Sequence, residues 1–316
     1  MTKLHRRRFL SIAAATTLAG LSPAAARRAN QTVRWQGRVF GADAAITLRF
    51  DDAVRAKTVL AEITGLVEGF EQTFSLYRPN SSLSQLNIQG FIGGWQAGQL
   101  FDALIDVRHW HRATQGLFDP TVHAIWQAYN AQPGADEHEI LQSIRPVIGF
   151  DRVHLRGDGG AIELAKPAMG LSLNSYVQGL ATDQIQRFLA AQGFDQVLVN
   201  CGEYSAGAGP WRIGIADPLA GLIGQRTISH AAIATSSPFA TTLGHQARSH
   251  IINPQDLAMQ PLWSTVSVEA ATALQADIWS TALCFLSQDE IRARAGTAYE
   301  RVTLIDFAGN LRTIQA

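Results

Sequence analysis

The chain has 316 residues, 47% hydrophobic and 16% charged, with no formal net charge. That apolar content suffices for one large domain or two small ones and excludes a chain dominated by solvated, disordered stretches. The charge balance gives no basic footprint for nucleic acid. The two cysteines, Cys201 and Cys284, stand far apart in apolar surroundings without a Cys-x-x-Cys or Cys/His cluster, which reads as two structural thiols rather than a zinc site.

The first 26 residues read as an address. Arg6-Arg7-Arg8-Phe9-Leu10 precedes an apolar run from Ile12 to Leu21, and Ala24-Ala25-Ala26 closes the segment. A basic start, a short apolar middle and an Ala-x-Ala end mark a secretory signal. The Arg-Arg-x-Phe-Leu pattern resembles the twin-arginine type, with an ordinary Sec signal as the alternative. The run is too short to span a membrane permanently. The expectation is a mature chain 27–316 in the periplasm. Removing four basic residues and no acid leaves 22 basic against 26 acidic residues, a net of −4.

Along the mature chain, Ala44–Phe50 alternates as a strand, and 52–73 carries an apolar helical stripe from Val54 to Phe70. Pro79, Asn80 and two serines mark a loop. Helices are predicted over Gln99–Thr114, Asp119–Tyr129 with Pro120 in its first turn, and Glu137–Ile144. Gln132–Asp136 is the least ordered connection. Val153–Leu155 and Ile162–Leu164 form a hairpin, and Tyr176–Ala191 a helix ended by Gly193. Strands follow at Gln196–Asn200, Trp211–Ala216, Ala232–Thr235 and Thr265–Ala270, then a helix over Leu274–Leu286. Val302–Ile305 and Leu311–Ile314 flank an Ala-Gly-Asn turn. Strands outnumber regular β-α alternation, so the fold class is α+β, a single domain of mixed sheets and flanking helices.

Asp277 and Thr281 are four apart in a helical run, so both side chains share one face. A carboxylate and a hydroxyl are hard donors that suit Mg²⁺, which completes its shell with water and substrate phosphate. The pair also fits an ordinary solvated face, but the surrounding Ala273, Leu274, Ala276, Ala282, Leu283 and Phe285 are apolar, and an acid buried there needs a partner. His250, in Ser249-His250-Ile251-Ile252-Asn253-Pro254, is a candidate general base or a loop histidine. His109, His111 and His123 read as core or surface residues of helices. Phe74-Ser75-Leu76-Tyr77 with its serine-rich continuation reads as a ring-stacking loop or a hydrophobic plug. Leu173–Gly179 reads as a helix entry with free N–H groups, which favour an anion.

In this order, the segments resemble the ApbE family of FAD:protein FMN transferases. The matching pieces are Phe40-Gly41-Ala42, Phe74–Tyr77, Gly116–Val122, Asn174–Asp183, Asn200-Cys201-Gly202, Ala234–Ser237, His250–Pro254 and Ala276-Asp277 with Thr281. The resemblance implies an ApbE-like, T-fold-related domain and FAD as substrate. It implies Mg²⁺ held by Asp277, Thr281 and the Ser175 carbonyl. Tyr77 would stack on the flavin nucleotide; Phe40, Leu117, Phe118, Asp119, Ser172, Gln178 and Ile251 would line its site; His250 would be nearest the proton transfer. The chain departs from the family pattern at several positions. Ser172 replaces an aspartate, Gln178 a lysine, Glu203-Tyr204 a Gly-Asp pair, Ser237 a glycine and Asn253 an aspartate, and Asp256-Leu257 stands where Thr-Gly is common. Gln178-Gly179 with Gly202-Glu203 resembles the NosX branch, which implies a NosR-like flavoprotein with a periplasmic domain as acceptor. Two other readings remain open, a Mg²⁺-dependent FAD pyrophosphatase and a non-catalytic FAD-binding assembly protein.

Overall fold

A computed structural model describes residues 31–50, 53–157 and 160–316. The expected signal, residues 1–26, lies outside the described residues. Eight strands form one sheet whose spatial order is also the chain order. They are β1 Gln31–Val39, β2 Ala42–Phe50, β3 Val197–Asn200, β4 Tyr204–Ala206, β5 Ala231–Ser236, β6 Thr265–Ala270, β7 Arg301–Ile305 and β8 Leu311–Gln315. Each pairs antiparallel with the next, so the meander is closed by local turns or by insertions between neighbours.

The largest insertion, between β2 and β3, carries α1 Ala53–Phe74, α2 Ser82–Gln89, α3 Gly98–Ala113, α4 His123–Ala131, α5 Glu137–Ile144 and α6 Asn174–Ala191. A three-stranded sheet of Phe91–Ile92, Val153–Arg156 and Ala161–Leu164 sits within it. A hairpin, Trp211–Asp217 with Gly221–Ile228, separates β4 from β5. Between β6 and β7 lie α7 Ala273–Ala282 and α8 Gln288–Arg292.

Strand alternation sorts the layers. In β3, Val197 and Val199 join a core with Val59 and Ile63 of α1 and Val177 and Ile185 of α6, whereas Leu198 packs with Trp211, Ile213 and Ile215 of the hairpin. Every residue of β6 is buried. Its Val266 and Val268 meet Ala276 and Trp279 of α7, and its Thr265 hydroxyl donates to Asp217 of the hairpin at 2.8 Å.

Several elements differ from their sequence reading. The stretch read as one helix over 119–129 is a 3₁₀ turn, Pro120–Val122, followed by α4; the Asp119 carboxylate accepts from the Thr121 amide and starts the turn there. The helix read to 286 ends at Ala282 and tightens into a 3₁₀ turn, Leu283–Phe285. The serine-rich stretch read as a loop contains α2, capped by Ser81, whose oxygen accepts from the Ser84 amide at 3.0 Å. The connection at 132–136 closes on Asp136, whose carboxylate caps α5. Cys201 and Cys284 are free and buried. Among the described residues, no helix is long and apolar enough to cross a membrane.

Helices α6 and α7 meet backbone to backbone at Gly179. A Cβ on Gly179 would lie 2.5 Å from the Leu274 Cα, 2.7 Å from its nitrogen and 2.8 Å from the Ala273 carbonyl oxygen, all backbone atoms. One turn along α6, the Asp183 carboxylate accepts from the Ala273 and Leu274 amides at 2.8 and 3.0 Å. It thereby satisfies two of the N–H groups that any helix start leaves open.

Helix propensity favours alanine over glycine by about 0.5–1 kcal/mol, yet Gly179→Ala should destabilise the protein by about 2 kcal/mol or more through overpacking; a melting temperature that stays level or rises would refute the contact. Burial alone pushes the His123 imidazole down to about 4 from 6.5. The unfolded chain then takes up the proton first, so stability is lost as pH falls through that window, on the order of 2 kcal/mol. Denaturant midpoints of His123→Gln should be flatter over that range than those of the parent; parallel curves would contradict the assignment.

Candidate functional site

The seat of α7 on α6 carries Asp277 into the interior. Asp277 is 4% exposed, and its Oδ2 is enclosed without a hydrogen-bond partner. Its carboxyl is pushed well above the usual range by burial first and then by the charge of Glu203; a backbone hydrogen bond from Gly179 opposes the shift. Glu203, in the turn between β3 and β4, is itself buried, and burial pushes it up to about 8 against a hydrogen bond from the Thr235 amide. That amide donates to Oε2 at 3.2 Å. Among the described residues, neither acid takes part in a salt bridge.

Neutral oxygens surround the pair. Ser236, next to Thr235 on β5, shares a hydrogen bond with Ser280 at 2.8 Å and lies 3.4 Å from the Thr281 hydroxyl. Thr281 is half-buried, one turn after Asp277 on the same face of α7. Ser175 is half-buried, one turn before Gly179 on the face of α6 that meets α7. Among the described residues, no three His, Cys, Asp or Glu side chains gather as a metal site. The oxygen set of one or two carboxylates with hydroxyls is of the kind that holds Mg²⁺ together with water and phosphate, and is unlike a zinc site. The enclosed, unpartnered Asp277 oxygen is the atom such a cation would satisfy.

The same strand leads to His250. Two residues beyond Ser236, the Pro238 carbonyl accepts from the imidazole Nδ1 at 2.7 Å, and the Thr241 carbonyl lies 3.0 Å from it. Two carbonyl acceptors call for a proton on Nδ1, so in the neutral tautomer Nε2 is the basic nitrogen. Trp126 meets the ring edge-on at 6.0 Å between centroids. Ser249 is fully buried, its hydroxyl 2.8 Å from the Ile251 carbonyl and 3.1 Å from the Pro238 carbonyl. Asn253 Oδ1 accepts from the Gln255 and Asp256 amides at 2.9 and 3.2 Å, so the turn that follows His250 is built on an amide oxygen.

The other candidate residues fall into three places. Gln178 packs its amide on Gly202, which adopts φ +115° and could not carry a Cβ beside it. Half-buried Ile251 packs, with buried Leu117, in the cluster that holds Ala234 and Ala276. Ser172 is half-buried, and its amide donates to the Pro120 carbonyl at 3.0 Å. Asp119 is buried and committed to structure. Its oxygens accept from the Thr121 amide and hydroxyl and from the Phe150 amide at 2.8, 2.6 and 2.9 Å. Phe118 and Phe40 lie in the large core. Phe40 has φ +51°, and its amide donates to buried Glu71 at 2.5 Å. Tyr77 is 69% exposed, and its ring lies so close to Gly41 that a Cβ there would approach within 2.9 Å. These contacts place the Tyr77 ring against Gly41, the residue after Phe40. A surface depression of about 360 Å³ lies beside Asp119, lined also by His111, Arg112, Pro254 and Gln255, and not by the acid pair.

Sequence reasoning brought together Asp277, Thr281, Ser175, Gln178, Ile251 and His250 but assigned no role to Glu203, Ser236 or Ser280. Glu203 follows Gly202 after a strand, and nothing local distinguishes a buried acid there from an exposed turn residue.

The sequence model described as "ApbE family" matches residues 40–305. The FAD:protein FMN transferase of Escherichia coli K12 is 24% identical over 80% of this chain and 78% of its own length. That of Salmonella typhimurium is 24% identical over 83% and 82%. The ApbE protein of Thermotoga maritima superposes with a TM-score of 0.80 at 16% identity, covering 90% of this chain and 97% of its own. The flavin transferase ApbE of Vibrio cholerae superposes with a TM-score of 0.76 at 22% identity, covering 91% and 97%. At these identities the two structures show the shared fold: helices flanking antiparallel sheets in one domain.

An enclosed acid without a partner is a stability cost, of about 1–3 kcal/mol or more for a charged group. Asp277→Asn should therefore raise the melting temperature of the metal-free protein in chelator at alkaline pH. A lower melting temperature would show that the carboxylate is satisfied in some other way.

Proposed function

Since the chain belongs to the ApbE family, we propose that it is a flavin transferase moving FMN from FAD to a Ser or Thr hydroxyl of a protein acceptor, with release of AMP. The match over residues 40–305 carries this reading, because it contains every residue of the oxygen-lined site and the His250 segment. The Escherichia coli and Salmonella typhimurium relatives are named for the same reaction.

In this reading, Asp277, Thr281 and the Ser175 carbonyl would hold Mg²⁺, supported by the unpartnered Asp277 oxygen. When bound, the cation supplies charge neutralisation at the pyrophosphate. The acceptor oxygen forms a bond to the FMN phosphorus, and the bond from that phosphorus to the bridging oxygen breaks. AMP leaves with the bridging oxygen, and the acceptor proton passes to Nε2 of His250. Phosphoryl transfer of this kind depends on positioning and electrostatics more than on covalent help. The Pro238 and Thr241 carbonyls hold the imidazole in the tautomer the step needs.

The twin-arginine-type leader supports a periplasmic location. The Gln178-Gly179 and Gly202-Glu203 combination supports the NosX-like branch, with a NosR-like periplasmic flavoprotein domain as acceptor.

The test is incubation of the mature protein with FAD, Mg²⁺ and candidate acceptor domains, read by intact mass and in-gel flavin fluorescence. The parent protein should add one FMN to the acceptor and release AMP. Chelator or Asp277→Ala should abolish labelling, and His250→Ala should slow it about 10²–10⁴-fold. AMP release without labelled acceptor would identify an FAD pyrophosphatase instead. Bound FAD with neither AMP nor label would identify an assembly protein.

A further inference from the structure

Glu203 belongs to none of the roles above, yet three elements converge on it. Its Oε2 accepts from the Thr235 amide of β5, 3.2 Å away. Its carbonyl lies 3.3 Å from the Thr182 hydroxyl of α6, which also donates to the Gln178 carbonyl at 2.8 Å. Its charge is the one that acts on Asp277 of α7. Thr235 adjoins Ser236, which touches Ser280 and Thr281, so Glu203 and Asp277 approach the same end of β5 from two sides.

Two acids buried at the same end of β5, neither in a salt bridge among the described residues, are unfavourable as a bare pair. Either a proton is shared or a cation lies between them. The surroundings favour a cation. Oδ2 of Asp277 is enclosed and has no hydrogen-bond donor to share. Ser280 is spoken for by the Asp277 carbonyl at 3.0 Å and by Ser236. The single backbone donor at Glu203 engages only Oε2. Two carboxylates match the charge of a divalent ion, and ligand charge count is what sets the affinity of oxygen sites for such ions.

We propose that Glu203 is a second carboxylate on the divalent cation of Asp277, so that this chain holds the cation before the dinucleotide arrives. The inference rests on the transferase reading of the Asp277 site and deepens it. With one carboxylate, the cation would depend on substrate phosphate for much of its binding; with two, the protein supplies both negative charges itself. The site is then charged with metal first, and the pyrophosphate completes a shell already in place.

The experiment is a Mn²⁺ titration of the metal-free, FAD-free mature protein, followed by electron paramagnetic resonance of the free ion. Parent, Glu203→Gln and Asp277→Asn are compared, and thermal melts of each confirm folding. Gln keeps the length of the side chain and an oxygen to accept from Thr235. The parent should bind one Mn²⁺ without FAD, Glu203→Gln should bind about ten-fold or more weakly, and Asp277→Asn should not bind. Parent-like binding by Glu203→Gln, with binding lost in Asp277→Asn, would overturn the inference and leave the Asp277 site standing. Failure of the parent to bind Mn²⁺ without FAD would likewise overturn cation-first loading. Parent-like binding by Asp277→Asn would overturn the metal site itself, and the transferase reading of it with it.

Discussion

The grip of α6 on the first turn of α7 is the constraint on which the site depends. Asp183 accepts from two adjacent amides at the start of α7, and Gly179 lets the backbones meet where a methyl group would not fit. The two contacts do different work. The carboxylate fixes where α7 begins and favours its dipole; the glycine fixes how near it comes. With both set, Asp277, one turn into α7, has a single place to go, against Gly179 and facing the β3–β4 turn. A looser helix pair would leave room for water around that carboxylate and remove the reason for its unusual state.

That state is an electrostatic demand written into a core. Around Asp277 the fold supplies Ala273, Ala276, Ile278 and Ala282, all buried, and, among the described residues, no cationic side chain in a salt bridge with it. Asp183 and Asp119 show the contrast. Both are buried acids, but each spends its oxygens on backbone amides or a hydroxyl, which is the ordinary way a fold makes a buried carboxylate tolerable. Asp277 is left short by one oxygen, and Glu203 adds like charge rather than relieving it. Folds keep such deficits where a ligand removes them.

Much of this was legible in the sequence, and the rest was hidden for identifiable reasons. The long stripe of α1, the helix before Gly193 and the strands of β3, β5, β6 and the final hairpin announce themselves through periodicity and turn residues. β1 did not, because it is an edge strand with one neighbour and only Val33 and Trp35 half-buried along its first half. α2 did not, because eight residues are too few for a helical stripe; only Ser81 ahead of Leu83 and Leu86 marks it. At the site, the i, i+4 spacing of Asp277 and Thr281 could be read directly. The burial of Glu203 could not, since it arises from β5 and α6 closing over a turn from distant parts of the chain. Nor could the hydrogen bonds of Asp119 be read from its motif; they hold the turn at Thr121 to the segment at Phe150.

The meander explains how residues 179, 203, 235–236 and 273–281 reach one place. Because the strands lie in chain order, the β3–β4 turn, the end of β5 and the helix after β6 are neighbours without any crossover. Short hydroxyl contacts then pin the junctions, Thr235 to Ser267 at 2.9 Å and Ser237 to Thr265 at 2.9 Å. The His250 loop is inserted between two of these strands and fastened back through the Pro238 carbonyl. Glu203, the Ser280 and Thr281 hydroxyls and His250 are thus held along one short segment, Thr235 to Pro238. A shift of β5 against β6 would move the Thr235 amide that donates to Glu203, the Ser236 hydroxyl beside Thr281 and the Pro238 anchor of His250 together. The contacts that register this sheet are therefore the same contacts that hold the candidate site residues, and sheet stability and the placement of those residues cannot be tuned separately here.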